Sequence, residues 1–153
     1  MVAELSKWHL AQINIARLRA PLDDPLLAEF VENLDGVNLA AEQAEGFVWR
    51  LKDECGNATE FQHFGPEFII NMSVWRDVRS LRRYVASEPH RSIMMKKENW
   101  FYLMDKPHLA LWWIAAGHVP TLVEADEKLD RLQKTGPIQA VFTFAKNFSP
   151  PDE

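Results

Sequence analysis

The stretch Phe68-Ile-Ile-Asn-Met-Ser-Val-Trp75 predicts a β-strand that leads directly into a helix. Side chains alternate between the two faces of a strand. One face would carry Ile69, Asn71, Ser73 and Trp75, and the other Phe68, Ile70, Met72 and Val74. The first face mixes polar groups with an indole, whereas the second is apolar. Small-molecule sites are mostly apolar with a few placed polar groups, so we expect the mixed face to line a pocket.

Residues 8–16 predict a first strand of similar character. Its alternation places Trp8, Leu10, Gln12 and Asn14 on one face, so the polar atoms again share a side. An amide among apolar neighbours is costly to bury unless it is hydrogen-bonded. Asn14 therefore either satisfies neighbouring backbone groups or serves a pocket.

The remaining patterns complete the predicted order of elements. Further strands are predicted over residues 47–51, 109–115 and 140–144, and helices begin near residues 25, 37, 76, 91 and 122. Asp35-Gly36 is expected to end the first helix, and Thr121 with Glu124 has the spacing of a capping box. The order β, α, β, β, α, β, α, β predicts an α+β fold: a ferredoxin-like antiparallel sheet with helices on one face. We expect a single domain over residues 1–153, with its core at about residues 8–148 and a tail at 149–153.

Composition excludes several classes of protein. A net charge of -5 argues against a nucleic-acid partner, and the cluster Arg76, Arg79, Arg82 and Arg83 is interpreted as a solvated helix face. The single cysteine, Cys55, excludes an internal disulfide and favours the cytoplasm. No apolar run is long enough to predict a membrane span. Spacings typical of a metal site, a phosphate loop, a dinucleotide fold or a hydrolase are absent, so no metal is expected.

Helices on one face would leave the other face of the sheet uncovered, and a second subunit is the expected cover. The chain also resembles the dimeric α+β barrel superfamily, through Asn14, the Ser-Val-Trp75 strand end, the Ser-Glu-Pro-His90 segment and the Trp112-Trp113 strand. Its Leu-Trp-Trp, Gly-His-Val-Pro-Thr and Gly-Pro-Ile-Gln-Ala-Val-Phe-Thr-Phe segments are similar to those of the bacterial domain of unknown function 3291 family. The superfamily includes antibiotic-biosynthesis and haem-degrading monooxygenases. The resemblance implies a homodimer whose two sheets close into a barrel.

The resemblance also implies which residues border the pocket. Asn14 and Trp75 match its pocket positions, and the position of the haem-ligating histidine holds Tyr84 here, which argues against haem. The expected catalytic residues are Asn14, to hold a substrate oxygen, and Tyr84 or His90, to transfer a proton. The expected pocket residues are Gln12, Asn71, Trp75, Trp112 and Trp113.

We therefore expect a monooxygenase-like enzyme that acts on a small aromatic or polyketide-like molecule without a tightly bound cofactor. Oxidation, or isomerisation or cyclisation of an oxygenated intermediate, would suit the same pocket. A ligand-binding or accessory protein without catalysis is the alternative, and haem binding or degradation is a weaker one.

Overall fold

Four antiparallel strands form the sheet of the computed structural model, which describes residues 7–53 and 63–151. In sequence order they are β1 (Trp8–Arg17), β2 (Phe47–Arg50), β3 (Phe68–Trp75) and β4 (Leu109–Ala115). The spatial order is β2-β3-β1-β4, with β1 paired to both β3 and β4. The predicted ferredoxin-like α+β fold is confirmed. Cys55 and the segment around it, residues 54–62, lie outside the described residues.

The described helices are α1 (Ala28–Gln43), α2 (Val78–Ala86), α3 (His90–Met95) and α4 (Leu122–Thr135). The prediction that Asp35-Gly36 ends the first helix is wrong, because α1 continues through both residues. A glycine inside a helix costs about 1 kcal/mol. Beyond the glycine, α1 buries Ala41 against the sheet and places Val37 on the cavity wall, and this packing of the second half of the helix offsets the cost of the glycine.

The two faces of the sheet differ sharply in chemistry. One of them, the cavity face, carries Leu10, Gln12, Asn14, Asn71, Ser73 and Trp75, which are partners in the β1–β3 register. The opposite one, the core face, carries Ala11, Ile13, Ile15, Ile70, Met72 and Val74, all buried. The alternation of the sequence therefore predicts both faces of β1 and β3.

Helices cover both faces of the sheet, which corrects the expectation that they lie on one face. Ala41 of α1 and Leu81 of α2 pack against Leu10 and Trp75 on the cavity face. On the core face, α4 packs through its buried stripe of Ala125, Leu129 and Leu132. The apolar stripe of α4 and the apolar core face of the sheet pack against each other, so each removes the other from water. The reason for expecting a partner subunit on that face is thereby removed, although the dimer itself stays a prediction.

The strand predicted over residues 140–144 is replaced by a bent segment with isolated bridges. Phe142 pairs with Leu111 on the outer side of β4, through N–H···O distances of 2.9 and 2.8 Å. A tight turn between Ile138 and Val141 folds the segment back on itself. Because the chain bends there, it meets β4 at one residue pair instead of along a ladder.

Candidate functional site

A cavity of about 190 Å³ lies between the cavity face of the sheet and helices α1, α2 and α3. Six of the eight site residues predicted from the sequence line it: Gln12, Asn14, Asn71, Trp75, Tyr84 and His90. Most of the remaining wall is apolar, with contributions from Phe30, Leu34, Val37 and Ile93. In another protein, an engineered cavity of about 150 Å³ binds benzene, so this volume suits a ligand of about one aromatic ring.

Hydrogen bonds fix a polar floor across β1 and β3. Gln12 Nε2 donates to Asn71 Oδ1 at 2.6 Å and to Ser73 Oγ at 2.8 Å. Trp75 Nε1 donates to the same Ser73 oxygen at 2.8 Å. Ser73 Oγ thus uses both lone pairs, and within the described residues neither its hydroxyl hydrogen nor Asn71 Nδ2 has an acceptor, so both can donate to a ligand. The floor presents fixed donors toward the cavity.

Asn14 differs from its neighbours on the floor. It lies opposite Asn71 in the β1–β3 register, and its Oδ1 is buried without a hydrogen-bond partner among the described residues. A buried polar atom left unpaired costs about 1–3 kcal/mol. Such an atom on a cavity wall calls for an explanation, and a hydroxyl-bearing ligand would supply the missing donor.

Trp75 and Tyr84 form an aromatic wall. Their rings stack at 5.1 Å between centroids with an interplanar angle of 27°, and Trp75 is only 1% exposed. The Tyr84 hydroxyl donates to Val37 O at 2.9 Å. Burial raises the pKa of Tyr84 to about 12, against the opposing effect of the Arg50 guanidinium. Tyr84 therefore keeps its proton at neutral pH, and its expected role in proton transfer stays a prediction.

His90 is the group on the wall that is suited to accept a proton. Its ring packs edge-on against Tyr84 at 5.2 Å, and its Nδ1 lies 3.2 Å from Val85 O. A carbonyl oxygen only accepts, so Nδ1 carries the hydrogen and Nε2 keeps its lone pair. Burial lowers the pKa of His90, and the hydrogen bond to Val85 opposes that shift only in part. The imidazole is therefore neutral at pH 7 and competent as a base.

Arg50 also lines the cavity, and sequence reasoning missed it. Its side chain is 10% exposed, and Nη2 lies 3.3 Å from Glu42 Oε1. Phe47 is opposite Trp75 and Arg50 is opposite Ser73, with a register shift between Phe47 and Trp49. Strict alternation from Phe47 would have turned Arg50 to the core face, and the shift returns it to the cavity face. The one hint in the sequence is a charged residue inside an apolar strand.

Trp112 and Trp113, expected in the pocket, lie outside it. Trp112 is on the core face, where its Nε1 donates to Glu124 Oε2 at 2.9 Å. Trp113 is on the cavity face beyond Leu10, packs against Phe142 and donates from Nε1 to Phe148 O at 2.8 Å. Neighbouring residues of a strand point to opposite faces, so the two indoles could not share one pocket wall.

Two further features bear on the class of site. Within residues 7–53 and 63–151, no group of three or more histidine, cysteine, aspartate or glutamate side chains is placed to hold a metal ion. No helix in the same described ranges has the length and apolar character needed to span a bilayer.

Fold and cavity together define a ferredoxin-like α+β protein with a candidate small-molecule site between its sheet and its helices. The chain belongs to the family described as domain of unknown function DUF3291, whose model matches residues 9–153. The family resemblance noted in the sequence is confirmed.

Solved structures share the fold at low identity. The protein PA3566 from Pseudomonas aeruginosa is 14% identical with a TM-score of 0.50, covering 76% of this chain and 100% of its own. A conserved protein from Methanosarcina mazei Go1 is 13% identical with a TM-score of 0.50, covering 71% of this chain and 93% of its own. SnoaB from Streptomyces nogalater, a cofactor-independent oxygenase, is 14% identical with a TM-score of 0.44, and the match covers 74% of this chain and 97% of SnoaB. No curated protein is significantly similar to the chain. These likenesses concern the fold and carry no information about substrate.

Proposed function

We propose that the protein is a cytoplasmic enzyme that deprotonates and oxidises a small, one-ring phenol or enol in this cavity without a tightly bound cofactor. The observation that carries the proposal is the buried, unpartnered Oδ1 of Asn14 beside an aromatic wall. An acceptor in that position calls for a ligand hydroxyl. The volume favours a single ring over a polyketide-like ring system.

Each polar group has a role in the proposed reaction. On binding, the substrate hydroxyl donates to Asn14 Oδ1; its proton then passes to His90 Nε2, and the hydrogen bond to Asn14 Oδ1 is broken in that step. The donors of Ser73 and Asn71 stabilise the resulting oxyanion, and their fixed positions in a mostly apolar cavity strengthen that effect. Trp75 and Tyr84 hold the ring in place.

Dioxygen is the proposed oxidant. The oxyanion makes a ring carbon electron-rich, and that carbon forms a bond to one oxygen atom of O₂. The second oxygen atom leaves as water with two hydrogens of the substrate, so a phenol becomes a quinone. Isomerisation of the same anion would need no dioxygen, and the two reactions are therefore separable by oxygen uptake.

Haem does not fit this site. The cavity has a volume of about 190 Å³, whereas pockets that bind drug-sized ligands have volumes of about 300–1,000 Å³. A porphyrin is at least as large as such a ligand, so it needs a larger cavity than this one. The Tyr84 hydroxyl is bonded to Val37 O inside the fold. No step of the proposed reaction therefore involves haem.

Oxygen uptake with a panel of one-ring phenols tests the proposal. We expect His90→Gln to lower kcat/KM by about 10²–10⁴-fold, the range for loss of a general base, while ligand binding persists. The matched control is His118→Gln, because His118 pairs with Glu124 away from the cavity and its loss should leave turnover unchanged. Binding without any turnover would make the protein a ligand carrier, and product without oxygen uptake would make it an isomerase.

The pH profile gives an independent check on His90. Its pKa lies below the ordinary value of 6.5 because burial disfavours the imidazolium form. We therefore expect kcat/KM to be constant at neutral pH and to fall only below pH 6.5, where the base becomes protonated. An acid limb centred above pH 6.5, or one that persists in the residual activity of His90→Gln, would contradict the role of His90.

A further inference from the structure

We infer that the cavity contains an apolar subsite beyond Asn14, and that the substrate fills it with a short aliphatic group on the ring carbon next to the hydroxyl. This inference rests on the proposed function, since it names the class of substrate for the same cavity: an ortho-alkylated phenol. Ala16 becomes the residue that determines specificity, because its small side chain leaves space for that group.

Two different apolar clusters of the fold line the cavity. The first includes the aromatic wall of Trp75 and Tyr84. The second surrounds the buried Trp100, and its members on the cavity wall are Phe30, Leu34, Ile69, Ile93 and Phe101. The cavity therefore has two apolar ends that belong to different parts of the core, and the aromatic wall accounts for only one of them.

The β1–β3 register gives the order of these features along the cavity face. Four pairs follow one another: Leu10 with Trp75, Gln12 with Ser73, Asn14 with Asn71, and Ala16 with Ile69. Asn14 thus lies between the aromatic wall and the second cluster, to which Ile69 belongs. If the aromatic wall holds the ring and Asn14 binds its hydroxyl, an ortho substituent extends toward Ile69. A para substituent instead points back toward the aromatic wall.

The chemistry of this second end suits an aliphatic group. Its wall is formed by Ala16, Phe30, Ile69, Ile93 and Phe101, and Phe30 meets Phe101 edge-on at 5.1 Å between ring centroids. None of these side chains forms hydrogen bonds, so the wall offers water no partner. The cavity is also larger than the one that binds benzene in another protein, which leaves room for a short substituent beside the ring. Ala16 has the smallest side chain of the five.

Calorimetric binding of three probes tests the subsite at pH 7. The probes are phenol, 2-ethylphenol and 4-ethylphenol; the last two differ only in where the ethyl group is attached. Each buried methylene strengthens binding about fourfold, so we expect 2-ethylphenol to bind about tenfold tighter than phenol, and 4-ethylphenol no tighter than phenol. Ala16→Leu fills the subsite and should abolish the advantage of 2-ethylphenol. The matched control, Ala115→Leu, makes the same change at an exposed position of β4 outside the cavity and should preserve that advantage.

The outcomes separate this inference from the proposed function. If phenol binds but 2-ethylphenol has no advantage over 4-ethylphenol, the subsite is overturned while the one-ring site stands. If the advantage survives in Ala16→Leu, the role of Ala16 is overturned. If none of the three probes binds, the proposed one-ring site fails together with the inference.

A second variant covers the case in which Ala16→Leu does not fold. Ile93→Ala enlarges the subsite from α3, a helix without fully buried residues, so the fold should tolerate the change. The larger space should accept a longer chain, and 2-butylphenol should gain affinity relative to 2-ethylphenol when the variant is compared with the wild-type protein. An unchanged ratio of the two affinities would count against the subsite.

Discussion

Gln12 and Asn14 are two residues apart on β1 and line the same cavity, but their hydrogen bonding differs. Gln12 is 4% exposed, and its Nε2 makes two hydrogen bonds that tie β1 to β3. Asn14 Oδ1 is buried, with no such bond in the described part of the chain. Residues kept for function are often neutral or costly for stability. The contrast identifies Gln12 as a structural support and Asn14 as a candidate contact to the ligand.

Alanine substitutions at these two positions should separate the two roles. Gln12→Ala removes both floor bonds and should lower the free energy of unfolding by about 1–3 kcal/mol. Asn14→Ala removes an unpaired buried oxygen, so stability should stay within about 0.5 kcal/mol of the wild-type value or rise. Urea unfolding of both variants measures the difference. Equal destabilisation by the two variants would show that Asn14 already has a partner in the folded protein.

The sequence predicts which side chains line the cavity where the strands alternate strictly. Gln12, Asn14 and Asn71 were found because one-residue steps along β1 and β3 change the face without interruption. Arg50 was missed because a bulge in β2 shifts the register, and strict alternation cannot reveal a bulge. Trp112 was wrongly predicted to line the pocket. Both faces of β4 are buried, and a tryptophan is compatible with either face, so its identity does not indicate which face it occupies.

Among the elements, α1 shows how packing overrides a local signal. Asp35-Gly36 has the composition of a turn, yet the helix passes through it. A Cβ added at Gly36 would meet nothing within 4 Å, so the glycine is not required by close packing. Leu34 and Val37 on either side of the pair line the cavity, which the continuous helix holds in place.

Gly36→Ala should therefore raise the free energy of unfolding by about 0.5–1 kcal/mol, because alanine is the better helix former and restricts the unfolded chain. Gly46→Ala is the matched control with the opposite expectation. Gly46 has φ +86°, and an added Cβ would lie 2.2 Å from Ser80 Oγ. Thermal and urea unfolding measure both changes. A loss of stability in Gly36→Ala would mean that α1 needs flexibility at this point.

The start of α4 was better predicted, because its signal is local. Thr121 Oγ1 accepts from Glu124 N at 3.1 Å, as the capping pattern predicts. The reciprocal half is absent from the described contacts: the Glu124 carboxylate instead accepts from Trp112 Nε1 and from His118 Nε2, at 2.9 and 2.7 Å. The face against which α4 packs depends on residues far away in the sequence. The sequence pattern predicted all helices on one face, whereas α4 packs on the opposite face from α1 and α2.

At the scale of the whole molecule, both faces of the sheet are covered by helices of the same chain. The core face is buried under α4, and the cavity face under α1 and α2. A barrel formed through the core face would first have to displace α4 and expose Ala125, Leu129 and Leu132. Folding of the single chain should therefore not depend on association.

We expect the thermal midpoint to be independent of protein concentration over about a hundredfold range, because mass action shifts stability only when association accompanies folding. Differential scanning calorimetry at several concentrations, with light scattering on the same samples, provides the measurement. A midpoint that rises with concentration would show that a dimer contributes to the fold. A constant midpoint with a dimeric mass would place the interface outside the core face.

The alternation of the sheet also bears on how this protein could change its specificity. On β1, odd-numbered positions such as Ile13 serve the buried core, while Asn14 beside it contacts the cavity. Substitutions at Asn14 and Asn71 can therefore alter the cavity with little disturbance of the packing under α4. Selection for a new ligand can act on one side of the sheet while the other side keeps the chain folded, so a library confined to the cavity side should retain a high proportion of folded members.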